Sequence, residues 1–396
     1  MHKTYCIFTT LFAPHVGGQE QFTEHIGCAL ARRGNTIIIV TCRIDDESPD
    51  METIYPPEAD AVSSDNIMGE VIVVRVESKR ALGGRYPIPK KQALSRVLES
   101  LKASVIDQVI INARFYELSI AGARFAEEIG QRPIIIDHGS AHLTLGNAAL
   151  DTGVRAIEHA QTKRILSVPA DYYGVSEKSC AWLEHFGIVS KGIIPNAIDA
   201  DAFVAAANDA HFREELGIPS DHVLVSFCGR LCPEKGVTEL LEAAERLARR
   251  KDIHFTLAGD GPLREAVEAA GLDRVHALGA LTPGDVAALL LESDIFCLPT
   301  RSEGFSTALL EAAACTVCPI ITDVGGAHEL IPTDQYGTIL ENADPETIAS
   351  AILKLADDSD LRRTCAENIA RRVRENHSWD ETARLLEQAA KLASQA

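Results

Sequence analysis

Glu303 and Glu311 stand seven residues apart in TRSEGFSTALLEAAA (Thr300 to Ala314), a spacing and a residue type that could hold hydroxyl groups. The preceding run DIFCLP (Asp294 to Pro299) is mostly apolar and ends in a breaker, which suits a buried strand leaving a sheet. TALLEAAA from Thr307 is a strong helix former, and Ser306 or Thr307 can cap it. The segment therefore reads as a strand-to-helix turn, which in doubly wound sheets is where ligands bind. Glu311, in the first turns of that helix, can accept hydrogen bonds from a vicinal diol such as a ribose. The amides of Gly304, Phe305 and Ser306 would face phosphate or sugar hydroxyls, and Glu303 would sit nearer a reacting sugar. The bland alternative is that Glu303 caps the helix and Glu311 is solvated, since acids are common at helix starts.

Cations appear at a second strand exit. GRLCPEKG (Gly229 to Gly236) follows the apolar run VLVSFC, and Arg230 with Lys235 could clamp a diphosphate, one through a planar fork and the other as a point charge. They would stabilise a departing nucleoside diphosphate without a metal. No metal is expected there: Asp199 and Asp201 have a suitable spacing but lie in a linker. Glycines recur at other strand ends, at Gly17 and Gly18, in GDGP (Gly259 to Pro262) and at Gly325 and Gly326, where bare amides at a helix start can approach an anion. None forms a Walker A loop or a G-x-G-x-x-G with its acidic follow-up, so ATP hydrolysis and ordinary NAD binding are weakly supported. In DHGSAHL (Asp137 to Leu143), His138 follows an apolar strand and could orient a sugar hydroxyl. His138 and His142 would hold a metal only on a helix with a third ligand.

Elements that must position these residues alternate between short apolar strands and amphipathic helices, the pattern of a parallel α/β protein. In the first half the strands are read near Tyr5 to Thr9, Thr36 to Thr41, Val71 to Val76, Val109 to Asn112, Ile134 to Asp137 and Tyr173 to Val175, with a first helix at Glu20 to Arg33. In the second they are Val223 to Cys228, His254 to Ala258, Val275 to Leu278, Ile295 to Leu298 and Pro319 to Thr322. The alternation restarts after Pro195, so two Rossmann-like, doubly wound domains facing across a cleft are expected. The first is 1–195, completed by the C-terminal helix 378–396, and the second is 196–377. Asp45 to Asn66, rich in Asp, Glu, Ser and Pro, reads as a mobile excursion.

At 396 residues the chain exceeds one core's natural size, and its formal charge of −19 argues against nucleic acid. Residues 1–200 carry a net charge of −4 and residues 201–396 one of −15, so the halves differ electrostatically. Lys79 to Lys102 holds seven bases (Lys79, Arg80, Arg85, Lys90, Lys91, Arg96 and Lys102) against Glu99 alone, and could meet an anionic membrane surface or an acidic acceptor as readily as solvent. The ten cysteines are scattered and read as buried thiols; the pair Cys315 and Cys318 lacks the second CxxC that metal chemistry would need. The opening MHKTYCIFTT has no signal-peptide layout, and a cytoplasmic protein is expected, with a peripheral place at the inner membrane face as an option.

Taken in order, GGQEQF, DHGS, VSE, PNAIDADAF, FCGRLCPEKG, LAGDGP, EGFSTALLEAAA and TDVGGAHELI cover nearly the whole chain. The set resembles the retaining glycosyltransferases of the GT-B fold, in the large family-4 group, also called glycosyl transferases group 1. The resemblance implies transfer from a nucleotide-sugar donor, UDP- or GDP-linked, to a glycan, lipid-linked or small-molecule acceptor in cell-envelope biosynthesis. It implies retention, no metal and no other cofactor. By the same resemblance Glu311 holds the ribose diol and Glu303 the donor sugar, Arg230 and Lys235 bind the diphosphate, and Gly17, Gly18 and Gly229 approach phosphates. His138 lies near the sugar and backbone near Leu281 meets the base. One departure is expected to alter a helix end: EAAACTVCP carries Cys315 where a glycine is expected. A nucleotide-sugar isomerase or epimerase on the same scaffold is the alternative, and a non-catalytic scaffolding subunit a third reading.

Overall fold

The computed structural model describes residues 2–15, 17–45, 47–55, 69–81, 86–142 and 148–395. It divides into two compact units, Met1–Pro195 with Trp379–Ala396, and Asn196–Ser378.

The first unit is built on one eight-stranded sheet. Its strands are β1 (Thr4–Phe8), β2 (Thr36–Arg43), β3 (Met51–Tyr55), β4 (Glu70–Lys79), β5 (Ile88–Pro89), β6 (Gln108–Asn112), β7 (Ile134–Asp137) and β8 (Asp171–Gly174). They are ordered β3-β4-β2-β1-β6-β7-β8, with β5 on β4. Runs such as Ile37 to Val40 and Ile134 to Ile136 are buried almost without alternation, as a parallel sheet covered on both faces requires. The central strand β1 pairs in parallel with both β2 and β6, so the strand order reverses there. Helix Gly18–Arg32 leaves the carboxyl end of β1, and the segment carrying His138 leaves that of β7.

Three strands went unread in the sequence. β3 lies inside the expected excursion 45–66 and pairs antiparallel with β4. Its pattern was hidden because only an edge strand's inner face needs apolar residues; residues 46 and 56–66 of that excursion lie outside the described residues. The two-residue β5 and the three-residue β14 of the second unit are too short to show a period. β8 begins at Asp171, two residues before the expected start.

In the second unit the strands are β9 (Val223–Cys228), β10 (Ile253–Ala258), β11 (Val275–Gly279), β12 (Ile295–Leu298), β13 (Cys318–Thr322) and β14 (Thr338–Leu340). All pair in parallel in the order β11-β10-β9-β12-β13-β14. That order reverses direction beside β9, so the loops after β9 and β12 share the switch point where such sheets bind ligands.

The last helix, Trp379–Ala393, packs within the first unit. Trp379 stacks on His25 with ring centres 5.0 Å apart and meets Phe22 edge-on, Leu386 is fully buried, and Glu387 takes the Arg33 guanidinium at 2.9 Å. Among the described residues no helix is long and apolar enough to cross a membrane.

Of the basic stretch, Lys90 pairs with Glu77, and Lys102 with Glu99 and Glu128. Lys79, Arg80, Lys91 and Arg96 form no ion pair among the described residues, and Arg85 lies outside them. All ten cysteines are free, and the Cys365 thiol donates to the Asp334 carbonyl at 3.2 Å.

Candidate active site

Loop geometry in the second unit is set by glycines that let backbones touch. β9 ends at Cys228 and is followed by Gly229 at φ 157°, then by a tight turn, Pro233–Lys235, closed by Gly236 at φ 72°. A Cβ on Gly236 would lie 2.1 Å from the carbonyl oxygen of Pro299, so only glycine lets the loop after β9 rest on the loop after β12. The contact is completed by the Arg301 amide, which donates to the Glu234 carbonyl at 2.8 Å. Lys235 is thereby delivered to Glu303, its Nζ 2.5 Å from Oε1, with side chains only 17% and 16% exposed. The sequence placed these two on different parts of a ligand. In the structure they form one charge-compensated pair.

Beyond Glu303 the chain is pinned from the other side. Gly325, after β13, donates to the Glu303 carbonyl at 3.2 Å, and a Cβ there would meet the Gly304 carbonyl oxygen at 2.1 Å. The Phe305 ring is buried against His377, with ring centres 5.6 Å apart, so its side chain belongs to the core and only its backbone can serve a ligand. Ser306 is the cap: its Oγ accepts from the Leu309 amide at 3.2 Å and opens helix Thr307–Ala314.

Glu311 sits in the second turn of that helix, partly buried, and its carboxyl makes no hydrogen bond or ion pair among the described residues. Burial pushes its carboxyl up to about 7. It lies close to the end of β9, where the Cys228 thiol is held up first by burial and then by the Glu311 charge. A half-ionised carboxyl with no protein partner is poised to accept from hydroxyls. Arg230 differs: its side chain is 59% exposed and reaches only Glu234, at 3.9 Å. Leu281 follows the edge strand β11 and precedes helix Pro283–Leu291, capped by Thr282 and Asp285. The structure thus brings Lys235 and Glu303 together across two adjoining loops, with Gly229 and Arg230 at the root of one, Gly304, Phe305, Ser306 and Glu311 following Glu303 along the other and its helix, and Leu281 just after the edge strand β11.

The same helix ends in a way that corrects the sequence reading. The left-handed residue is Thr316, at φ 62°, and Cys315 keeps an ordinary φ of −81°. Thr316 donates to the Ala313 carbonyl and Val317 to that of Ala312, a Schellman closure whose glycine position is held by a β-branched residue.

In the first unit, Gly17 caps helix Gly18–Arg32 in extended conformation, φ −172°. A Cβ there would lie 2.4 Å from Oε2 of Glu20, whose carboxylate folds back over the helix start and pairs with His15 at 2.9 Å. The glycine pair expected to face phosphate therefore has an acid of its own beside it, legible only as the glutamate of GGQE. His138 contacts the Phe22 ring edge-on at 4.8 Å, and burial pushes its imidazole down to about 3, so it is neutral at physiological pH. The Asn112 amide donates to Thr23 at 2.7 Å, which leaves its Oδ1 to accept from His138 Nε2 at 3.2 Å. This tautomer presents Nδ1 as an acceptor for a hydroxyl.

Behind His138 lies a network the sequence did not disclose. Arg114, fully buried, is gripped by Asp137 and Glu158 and lies 3.9 Å over the Phe186 ring. Asp137 Oδ1 also accepts from the Gly139 amide at 3.0 Å, and Glu158 also binds His142. A lone arginine after an apolar strand carries no periodic signal, so only the fold reveals it.

Residues 208–372 match the family profile described as Glycosyl transferases group 1. The alpha-D-kanosaminyltransferase of Streptomyces kanamyceticus is 34% identical over 178 residues, covering 43% of this chain and 45% of that protein, so the chain spans under half of its length. The putative teichuronic acid biosynthesis glycosyltransferase TuaC of Bacillus subtilis (strain 168) is 27% identical over 317 residues, 78% of this chain and 77% of that one. Among solved structures, Anabaena Alr3699/HepE in complex with UDP-glucose matches 98% of this chain and 99% of its own at a TM-score of 0.69 and 16% identity. Residues 208–372 are thus similar to the glycosyl transferases group 1, and the fold of the chain is that of the GT-B glycosyltransferases.

Proposed function

We propose that the protein is a retaining glycosyltransferase that moves a sugar from a nucleotide-sugar donor to a hydroxyl acceptor in cell-envelope glycan or glycolipid synthesis. The single observation that carries this reading is the Lys235–Glu303 pair joining the loops after β9 and β12, beside a Glu311 carboxyl near the end of β9 that has no partner among the described residues. In this reading Glu311 accepts from the ribose diol. Lys235 turns from Glu303 toward the diphosphate as charge builds on the leaving oxygen, and Glu303 is released to the donor sugar's hydroxyls. Arg230, exposed and weakly held, adds a second cation to the diphosphate, and the amides of Gly304 to Ser306 complete the cradle. Gly17, Gly18 and a neutral His138 are the first unit's contributions, His138 as a hydroxyl acceptor. The bond from the anomeric carbon to the phosphate oxygen breaks, the acceptor oxygen takes its place on the same face, and the acceptor proton leaves with the diphosphate. The transfer itself is assigned no metal and no other cofactor.

The donor is proposed as UDP- or GDP-linked; one solved neighbour carries UDP-glucose. The acceptor is proposed as a glycan or a lipid-linked saccharide, with Lys79, Arg80, Lys91 and Arg96 available to an anionic surface. The test is diphosphate release from a panel of UDP- and GDP-sugars with and without a membrane extract. Acceptor-dependent release is expected, whereas label scrambling without acceptor would indicate an isomerase. In the same assay Lys235→Ala should lower kcat about 100-fold or more while nucleoside affinity changes little; a normal kcat would remove the proposed role of Lys235.

A further inference from the structure

Three histidines from separate parts of the first unit meet at its surface. His142 follows β7, His159 lies on helix Ala148–Ile165, and His185 closes helix Glu177–Glu184. Each can offer one ring nitrogen such that the three lie within 4.8 Å of one another. Their ring centres are 5.4, 5.2 and 5.3 Å apart, close to an equilateral triangle. Three imidazoles sharing one tetrahedral zinc ion at roughly 2.0–2.1 Å hold their ring centres about 5 Å apart. The triangle therefore already has the size that a shared ion would impose.

Two further features favour an ion over a mere aromatic cluster. His142 Nδ1 lies 2.7 Å from Oε2 of Glu158, a buried carboxylate. That is the outer partner a ligating histidine usually has: it fixes the tautomer with Nδ1 protonated and leaves Nε2 to ligate. Glu158 is itself held by Arg114, so His142 is oriented from a rigid interior. The side chains of His159 and His185, in contrast, make no hydrogen bond among the described residues and are exposed. Their ring nitrogens are open to a ligand, and the exposure leaves room for water as a fourth one. Trp182 stacks on His185, ring centres 4.9 Å apart and nearly parallel, which restrains that ring as well. His138, the histidine paired with His142 in the sequence reading, takes no part; its Nε2 is committed to Asn112.

We infer that His142, His159 and His185 form a binding site for a divalent transition-metal ion of the zinc type. The ion would tie the segment after β7, which carries His138, to two helices of the same unit. It is separate from the transfer chemistry proposed above, which is assigned no metal.

The full-length protein, stripped with chelator, is titrated with Zn2+ and separately with Co2+, following heat, cobalt absorption and tryptophan fluorescence. Expected are one ion per chain, the absorption of a tetrahedral cobalt centre, and a change in fluorescence from Trp182. In the variant carrying His159→Ala and His185→Ala, both at exposed positions, affinity should fall at least about 100-fold while the circular dichroism spectrum is retained. As a second check, His142→Ala should abolish the cobalt band. Absence of stoichiometric binding, or binding undiminished in the double variant, would overturn the assignment. The latter result would point to adventitious capture elsewhere, as among His222, His254 and His276 of the second unit, whose rings adjoin one another.

Discussion

The two units obey the same architectural rule and treat charge in opposite ways. In the first, the ionic groups behind β6 and β7 are mutually satisfied: Arg114 is fully enclosed by Asp137, Glu158 and the Phe186 ring. In the second, the loops after β9 and β12 share the ion pair Lys235–Glu303, and the Glu311 carboxyl has no such partner among the described residues. Satisfied buried charges fix a local structure; an unsatisfied carboxyl whose pKa burial has raised is a standing demand for a ligand. The contrast places the unmet demand for a ligand in the second unit, whereas His138 of the first is oriented and neutral.

The contrast breaks most visibly at Arg114. Arg114→Ala would strand two buried carboxylates, and a loss of roughly 3–5 kcal/mol in unfolding free energy is expected by denaturant titration. A loss below about 1 kcal/mol would mean the network is not structural. Smaller and sharper is the pH response of Glu311. Its folded pKa is raised to about 7 from an ordinary 4.5, so its contribution to stability is present below the unfolded value and is lost as pH rises through the folded one. A diol needs the ionised acceptor, so nucleoside affinity should rise about tenfold between about pH 6 and about pH 8. Nucleoside, not diphosphate, is the probe, and the rise should vanish in Glu311→Gln. A flat wild-type profile would contradict the assignment. Smallest is Thr316→Gly, which relieves a left-handed β-branched residue and should stabilise by about 1 kcal/mol in thermal melting. Unchanged or lower stability would show that the threonine side chain compensates.

Most of the sheet framework was legible because buried parallel strands advertise themselves as unbroken apolar runs such as Ile134 to Ile136. Edge strands were not: β3 needs an apolar pattern on one face only, and β5 and β14 are too short to carry one. For the second unit's cluster, glycine placement was the readable part, because Gly236 and Gly325 mark backbone contacts that no other residue permits. Side-chain pairing was not readable. Nothing in residue type announces that Lys235 rests on Glu303 or that Arg114 is sealed among acids, since each depends on segments far apart in sequence, nor that the local Glu20 folds back over Gly17. The helix end at Thr316 was misplaced by one residue because the cysteine beside it drew attention from the true left-handed position.

The proposed role of Glu311 as the acceptor for a nucleotide sugar's ribose is open to calorimetric titration of UDP and GDP, and of the corresponding nucleosides, into the wild type and Glu311→Ala. The variant is expected to keep its circular dichroism spectrum and melting behaviour while the dissociation constants for both nucleoside and nucleotide rise about tenfold or more. Equal affinities in the two proteins would contradict it.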